Sequence, residues 1–125
     1  MKYTFYGKND TIIYIESEEV LIRDTQSALD LMATIIFEKN CNKIILDKEL
    51  ICEDFFILST GIAGEILQKF INYSAKLAII GDFSMYTSKA LQDFIYECNK
   101  GNDIFFVDSL DQAVNKLDSA IGLIE

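Results

Sequence analysis

An α/β fold in one domain, with a mixed β-sheet covered by helices, is the architecture this sequence predicts. Three observations predict it. Short runs of β-branched and aromatic residues alternate with longer segments whose apolar residues recur at helical spacing. The inner runs, such as Lys43-Ile44-Ile45-Leu46-Asp47, are apolar on consecutive positions, as strands buried on both faces of a parallel sheet are. The 125 residues contain no linker, repeat or low-complexity stretch, so residues 1–125 read as a single domain.

Tyr3-Thr4-Phe5-Tyr6 and Thr11-Ile12-Ile13-Tyr14-Ile15 flank Gly7-Lys8-Asn9-Asp10, whose residues suit a turn, and together they read as an antiparallel hairpin. Asp24 or Thr25 is placed to cap a helix carrying Ala28, Leu31, Met32, Ile35 and Ile36, which ends near Glu38-Lys39-Asn40. The strand at residues 43–47 follows, then an irregular stretch over residues 48–58. A second helix shows Ile62, Ala63, Ile66, Leu67, Phe70 and Ile71 on one stripe, and Lys76-Leu77-Ala78-Ile79-Ile80-Gly81 is the next buried strand. Ser84, Tyr86-Thr87-Ser88 and Lys89 open a third helix with Leu91, Phe94, Ile95 and Cys98 inward. Asn99-Lys100-Gly101 closes it, with Gly101 suited to a left-handed C-terminal position. Asp103-Ile104-Phe105-Phe106-Val107 is the last strand, and Ser109 or Asp108 caps a final helix through Ala113, Val114 and Leu117, which residues 120–125 extend or leave frayed. The order is β-β-α-β-α-β-α-β-α. Strands joined by helices run parallel, and their crossovers are right-handed.

Composition excludes several functions. Eleven Lys and Arg against twenty Asp and Glu give a net charge of −9, and His, Pro and Trp are absent. Without His there is no Ser-His-Asp or Cys-His relay and no imidazole metal ligand. Arg23, the sole arginine, cannot form a phosphate-binding cluster. The acidic balance opposes nucleic acid and anionic membrane surfaces, both of which attract cations. No apolar run approaches the roughly 20 residues that span a bilayer. The start, Met1-Lys2-Tyr3-Thr4-Phe5-Tyr6-Gly7-Lys8, turns polar too soon for a signal peptide. Cys41, Cys52 and Cys98 are odd in number and form no C-x-x-C, so reduced thiols in a cytoplasmic protein are expected, with no cofactor and no metal.

Two segments carry the candidate site residues. In Leu58-Ser59-Thr60-Gly61-Ile62-Ala63-Gly64-Glu65, Ser59 stands where a helix N-cap is expected, and Gly61 and Gly64 lower helix propensity. Either Ser59 caps and the glycines ease packing against the sheet, or the helix start is an exposed contact or phosphorylation surface. Gly81-Asp82-Phe83-Ser84-Met85-Tyr86-Thr87-Ser88-Lys89 follows a buried strand, at the end where open α/β sheets place ligands. Its polar residues Asp82, Ser84, Tyr86, Ser88 and Lys89 fit a ligand or docking loop, with Lys89 meeting Asp82, a phosphate or water. Alternatively Ser84 or Thr87 merely caps the helix. Glu53-Asp54 is a carboxylate pair that either does acid–base work, binds a divalent cation or, as adjacent loop residues more often are, is simply solvated, and Asp93 with Glu97 reads as a charged helix stripe. Cys52 lies beside Glu53 and Asp54, which disfavours its thiolate. No nucleophile has an evident base, so an enzyme is disfavoured.

The runs F-F-I-L-S-T-G-I-A-G-E-I-L-Q-K-F, L-A-I-I-G-D-F-S-M-Y-T-S-K-A-L-Q-D-F-I-Y-E-C-N-K-G and I-F-F-V, between Phe55 and Val107, resemble a bacterial family catalogued as domain of unknown function 4180. More distantly, the element order resembles the STAS domain of sulphate transporters and anti-sigma factor antagonists. So does Ile44-Ile45-Leu46-Asp47, followed by Ser59-Thr60-Gly61-Ile62 and Lys76-Leu77-Ala78-Ile79-Ile80-Gly81. In the antagonists that helix start is D-S-S-G, and a partner kinase phosphorylates its first serine. The resemblance implies a STAS-like domain with Ser59 as acceptor, Thr60 as the next serine and Gly61 as the glycine, while Leu58 stands in place of the Asp.

The function expected is a non-enzymatic cytoplasmic regulatory module that docks a protein partner or a second copy of itself. Its docking face joins Ser59, Thr60, Gly61 and Gly64 to the 82–89 loop. Residues 59–70 carry only Glu65 and Lys69 as charges, which suits docking. The alternative is a small-anion or metabolite-binding domain, or a minor enzyme, using the Gly81–Lys89 loop. A third expectation is a homodimer, through the aromatic edge strand bearing Tyr3, Phe5 and Tyr6 or through an exposed apolar helix face.

Overall fold

The computed structural model describes residues 1–120, so the expected extension or fraying at residues 121–125 lies outside the described residues. The nine elements follow the expected order: β1 (Lys2–Tyr6), β2 (Ile12–Glu16), α1 (Thr25–Lys39), β3 (Lys43–Asp47), α2 (Ile62–Asn72), β4 (Lys76–Ile80), α3 (Lys89–Lys100), β5 (Ile104–Val107) and α4 (Leu110–Ser119).

The strands lie side by side in chain order, β1-β2-β3-β4-β5. β1 and β2 pair antiparallel, with Tyr6 opposite Ile12, and the remaining neighbours pair parallel. A right-handed crossover between adjacent parallel strands sends its helix to a fixed side, so three successive crossovers stack their helices on one face. Ile13, Ile15, Ile44, Leu46, Leu77, Ile79 and Phe106 project into that face and pack with Ala28, Met32, Ile35, Ala63, Ile66, Phe70 and Leu91 of α1, α2 and α3. The alternate residues Ile12, Ile45, Ala78, Phe105 and Val107 project to the other face, where, among the described residues, α4 covers them through Ala113 and Leu117. Each inner strand is buried on both faces, which is why its sequence is a continuous apolar run.

Polar residues fix where the helices begin. Asp24 caps α1: its carboxylate accepts from Ser27 N at 2.8 Å, and the Ser27 hydroxyl accepts from Asp24 N at 3.0 Å. Ser88, not Ser84 or Thr87, caps α3 by accepting from Leu91 N at 3.2 Å, and α3 accordingly starts at Lys89. Ser109 caps α4 in the same way through Gln112 N. Gly101 does not close α3 in the left-handed region. It is extended, with φ −91, and the chain passes directly toward β5. The left-handed helix end belongs instead to Asn40 after α1, with φ 57.

The two edges of the sheet differ. On β5, the residue facing away from β4 at the centre of the strand is Phe106. The Asn99 side-chain amide of α3 accepts from Phe106 N at 2.8 Å and donates to Phe106 O at 3.2 Å, occupying both groups as a neighbouring strand would. Among the described residues nothing equivalent meets the outer edge of β1.

Candidate functional site

The carboxyl ends of β3 and β4 hold both candidate segments. Between β3 and α2 the irregular stretch is organised as three short 3₁₀ turns, Lys48–Leu50, Glu53–Phe56 and Leu58–Thr60. A parallel bridge between Ile22 and Ile51 ties it to the chain before α1, with Cys52 N donating to Ile22 O at 2.9 Å. Phe55 and Phe56 are buried in it, edge to face at 5.0 Å. Phe56 stacks on Tyr86 at 5.3 Å and Phe83 meets Phe106 edge-on at 5.3 Å, so aromatic side chains bind the 81–88 loop to Phe56 and to β5.

Lys48 sits inside this aromatic arrangement. Its side chain is only 13% exposed; the ammonium lies 5.4 Å from the Phe56 ring centre and 5.1 Å from that of Tyr86, and 3.1 Å from Glu53 Oε1. Tyr86 Oη donates to the same Glu53 carboxylate at 3.0 Å. Contact with the Tyr86 phenol, and then with Glu53, holds the Lys48 ammonium above the ordinary lysine range, against the opposing effect of burial. Burial raises Tyr86 as well, with Lys48 pulling the other way. Lys48 therefore stays charged and Tyr86 stays protonated at neutral pH. The lysine is not a free-amine nucleophile and the tyrosine is not a phenolate, so the trio acts as a clamp between the two segments. Gly81 is required here, because a Cβ on it would lie 2.8 Å from Lys48 Cβ.

The turn at residues 58–61 departs from expectation. Ser59 does not cap α2. The helix begins after Gly61, which adopts φ 81 and bears the boundary position with no side-chain cap. The extra 3₁₀ turn uses Thr60 instead: its Oγ1 donates to Asp54 O and Ile57 O, both at 2.8 Å, and accepts from Ile62 N at 3.3 Å. The Ser59 hydroxyl is exposed, with no hydrogen-bond partner among the described residues. Nor do Gly61 and Gly64 ease packing against the sheet: a Cβ at either would meet nothing within 4 Å. Gly61 is explained by its left-handed backbone. Gly64 has no packing reason and leaves a bare patch of helix surface facing outward. Beside it, Glu65 accepts from the Thr25 hydroxyl at 2.9 Å, linking the starts of α1 and α2.

The five polar residues of the other segment do not converge on one point. Asp82 accepts from Ser84 N at 3.0 Å and Ser84 Oγ at 2.7 Å, bonds that lower its carboxyl below the usual range. Tyr86 belongs to the clamp and Ser88 to the cap of α3. Lys89 pairs with Asp93 at 3.2 Å, one turn on, rather than with Asp82.

Of the candidate residues, Ser59, Tyr86 and Ser88 share one groove, while Thr60, Gly61, Gly64, Asp82, Ser84 and Lys89 do not line it. This groove, of about 410 Å³, runs between residues 56–59 on one side and residues 85–88 with Ala90 on the other. Ile57 and Met85 are 50% and 68% exposed beside it, and Ser59 stands on its wall. No residue lining this groove carries a charge. A second cavity of about 250 Å³ lies between α2 and α3, where Cys98 is pushed up to about 11 by burial, with Asp103 and Glu97 adding to the shift. Among the described residues no His, Cys, Asp or Glu cluster is arranged to hold a metal ion, and no helix is long and apolar enough to cross a membrane.

Sequence reasoning missed Lys48, which lay in a stretch without periodicity. The available signal was a glycine directly after a buried strand, since Gly81 is small to make room for Lys48. No curated protein and no solved structure matches the chain. A family model does match, over residues 7–117, and the chain belongs to that family, Domain of unknown function (DUF4180).

Proposed function

We propose that the chain is a non-enzymatic protein-interaction module of the cytoplasm, and that the groove between residues 56–59 and residues 85–88 is its docking face. The observation that carries this is an uncharged groove with exposed Ile57 and Met85 in a chain of net charge −9. Exposed apolar side chains gathered at a concave site mark interaction surfaces. The free Ser59 hydroxyl on the groove wall supports a switch: a phosphate there adds about −1.5 to −2 charge to a neutral surface and weakens docking of an apolar or acidic partner. The resemblance of Ser59-Thr60-Gly61 to the phosphoacceptor turn of anti-sigma factor antagonists supports the same role, as a STAS-like regulator.

Cross-linked capture from the native cell tests it. Wild type is expected to retain a partner that Met85→Asp and Ser59→Asp lose while melting at the wild-type temperature. An identical captured set for all three proteins sinks the proposal. The groove volume also lies within the range of small-molecule sites, about 300–1,000 Å³, which favours a metabolite-binding domain as the second reading. A thermal-shift screen of phosphates and carboxylates separates the two, since docking of protein alone leaves the melting temperature unmoved by every small anion.

A further inference from the structure

We propose that β1 is a pairing edge for a second copy of this chain, two copies joining antiparallel through β1 to make one continuous sheet.

The two edges of the sheet motivate this. An unguarded edge strand presents alternate N–H and C=O groups to any strand that can align with them. Asn99 covers the β5 edge at Phe106, where it bonds both outward groups of that residue. β1 has no such cover among the described residues, and its protections are limited to its short length and one terminal charge. Its five residues contain no proline, and the sole charge, Lys2, stands at the end of the strand. Tyr3, Thr4, Phe5 and Tyr6 all favour extended pairing, and Phe5 is 43% exposed.

Charge and register select a second copy as the occupant. Two chains at −9 repel over most of their surfaces, but β1 itself carries no acid, and its one charge, Lys2, pairs with Glu16 of β2 at 3.8 Å. This edge therefore adds little repulsion of its own between two copies. A two-fold axis makes contacts reciprocal. Centred on Thr4, it sets Thr4 against Thr4, Tyr3 against Phe5 and Lys2 against Tyr6. The first aromatic pair is a favourable cross-strand pair and the second a cation over a ring, with no like charges opposed. The strand is thus self-complementary in the antiparallel sense. Its short length keeps the contact below the roughly 1,200–2,000 Å² of a standard stable interface, so the dimer is concentration-dependent.

Light scattering and sedimentation of the full chain test the proposal, from low micromolar to several hundred micromolar, at low and at moderate salt. The mass is expected to rise from 14.2 kDa towards twice that value. Moderate salt raises the dimer fraction by screening the repulsion between copies. Thr4→Lys places two ammonium groups together at the axis, and Phe5→Lys removes the aromatic pair. Each is expected to stay at monomer mass at every concentration, with unchanged circular dichroism and melting. Alternate β1 amides of wild type should exchange more slowly at high concentration, a readout that requires no variant. The proposal is overturned by a monomer throughout, by a dimer that persists in both folded lysine variants, or by open-ended aggregates in place of a closed pair. It is equally overturned if Met85→Asp, which alters only the docking groove, abolishes the dimer, because the contact then lies at the groove.

Discussion

Residues 48–61 leave the end of β3 and residues 81–88 leave the end of β4, side by side, yet they are held very differently. The first segment has three 3₁₀ turns, a backbone bridge at Ile51 and two buried phenylalanines. The second is held chiefly by Phe83 and Tyr86, which dock on Phe56 and Phe106, while Asp82, Ser84, Met85, Thr87 and Ser88 stay exposed. One loop is an extension of the core and the other a flap pinned onto it. A groove between a fixed wall and a pinned one keeps its shape without a partner, which lowers the ordering cost of docking.

Breaking the fixed wall should have the largest effect. Phe55 is fully buried, against Phe56 at 5.0 Å and Phe106 at 6.5 Å. Phe55→Ala is expected to destabilise by about 3–5 kcal/mol in urea unfolding, and a loss under 1 kcal/mol would mean the segment is not core. Gly81→Ala tests the junction of the two loops, since its new Cβ would press on Lys48 at 2.8 Å. Overpacking of this kind typically costs about 1–3 kcal/mol. If the melting temperature rises instead, Lys48 has room to yield.

Lys48→Met should be milder. It keeps an apolar stem beside the stacked rings of Phe56 and Tyr86 and removes the cation–π and Glu53 contacts. A net change of about 1 kcal/mol or less is expected, together with faster amide exchange in residues 81–88 and little change in residues 48–56. Equal acceleration in both loops would contradict the asymmetry. Ser59→Ala should do least. A true N-cap loses about 0.5–2 kcal/mol on such a change. An exposed hydroxyl without a partner loses less than about 0.5 kcal/mol. Equilibrium unfolding separates these outcomes.

The elements were legible because burial imposes periodicity. Runs such as Lys76-Leu77-Ala78-Ile79-Ile80 fit strands covered on both faces, and the polar pairs Asp24-Thr25 and Asp108-Ser109 mark helix starts, at which Asp24 and Ser109 are the caps. The resemblance to domain of unknown function 4180 was legible for the same reason, since those buried runs are long. What sequence could not show was tertiary. Strand order depends on which side each crossover takes. The cap at Ser59 failed because Leu58-Ser59-Thr60 forms a turn of its own, driven by Thr60 bonding to Asp54 and Ile57. Ser88 displaced Ser84 because Ser84 is already engaged by Asp82. Tyr86 lies 33 residues from Glu53 in the chain and meets it and Lys48 only through the fold.

Strand order equal to chain order also bears on how the protein folds. Each strand after the first pairs with the strand next before it in the chain, so the pairings that build the sheet are as local as parallel strands allow and the loops to close are short. Low contact order of this kind favours fast folding and shortens the time for which unpaired strand edges face other chains. The last strand also carries a local cover, because Asn99 lies only seven residues before Phe106 and occupies its outward groups. The first strand has no cover of that kind among the described residues.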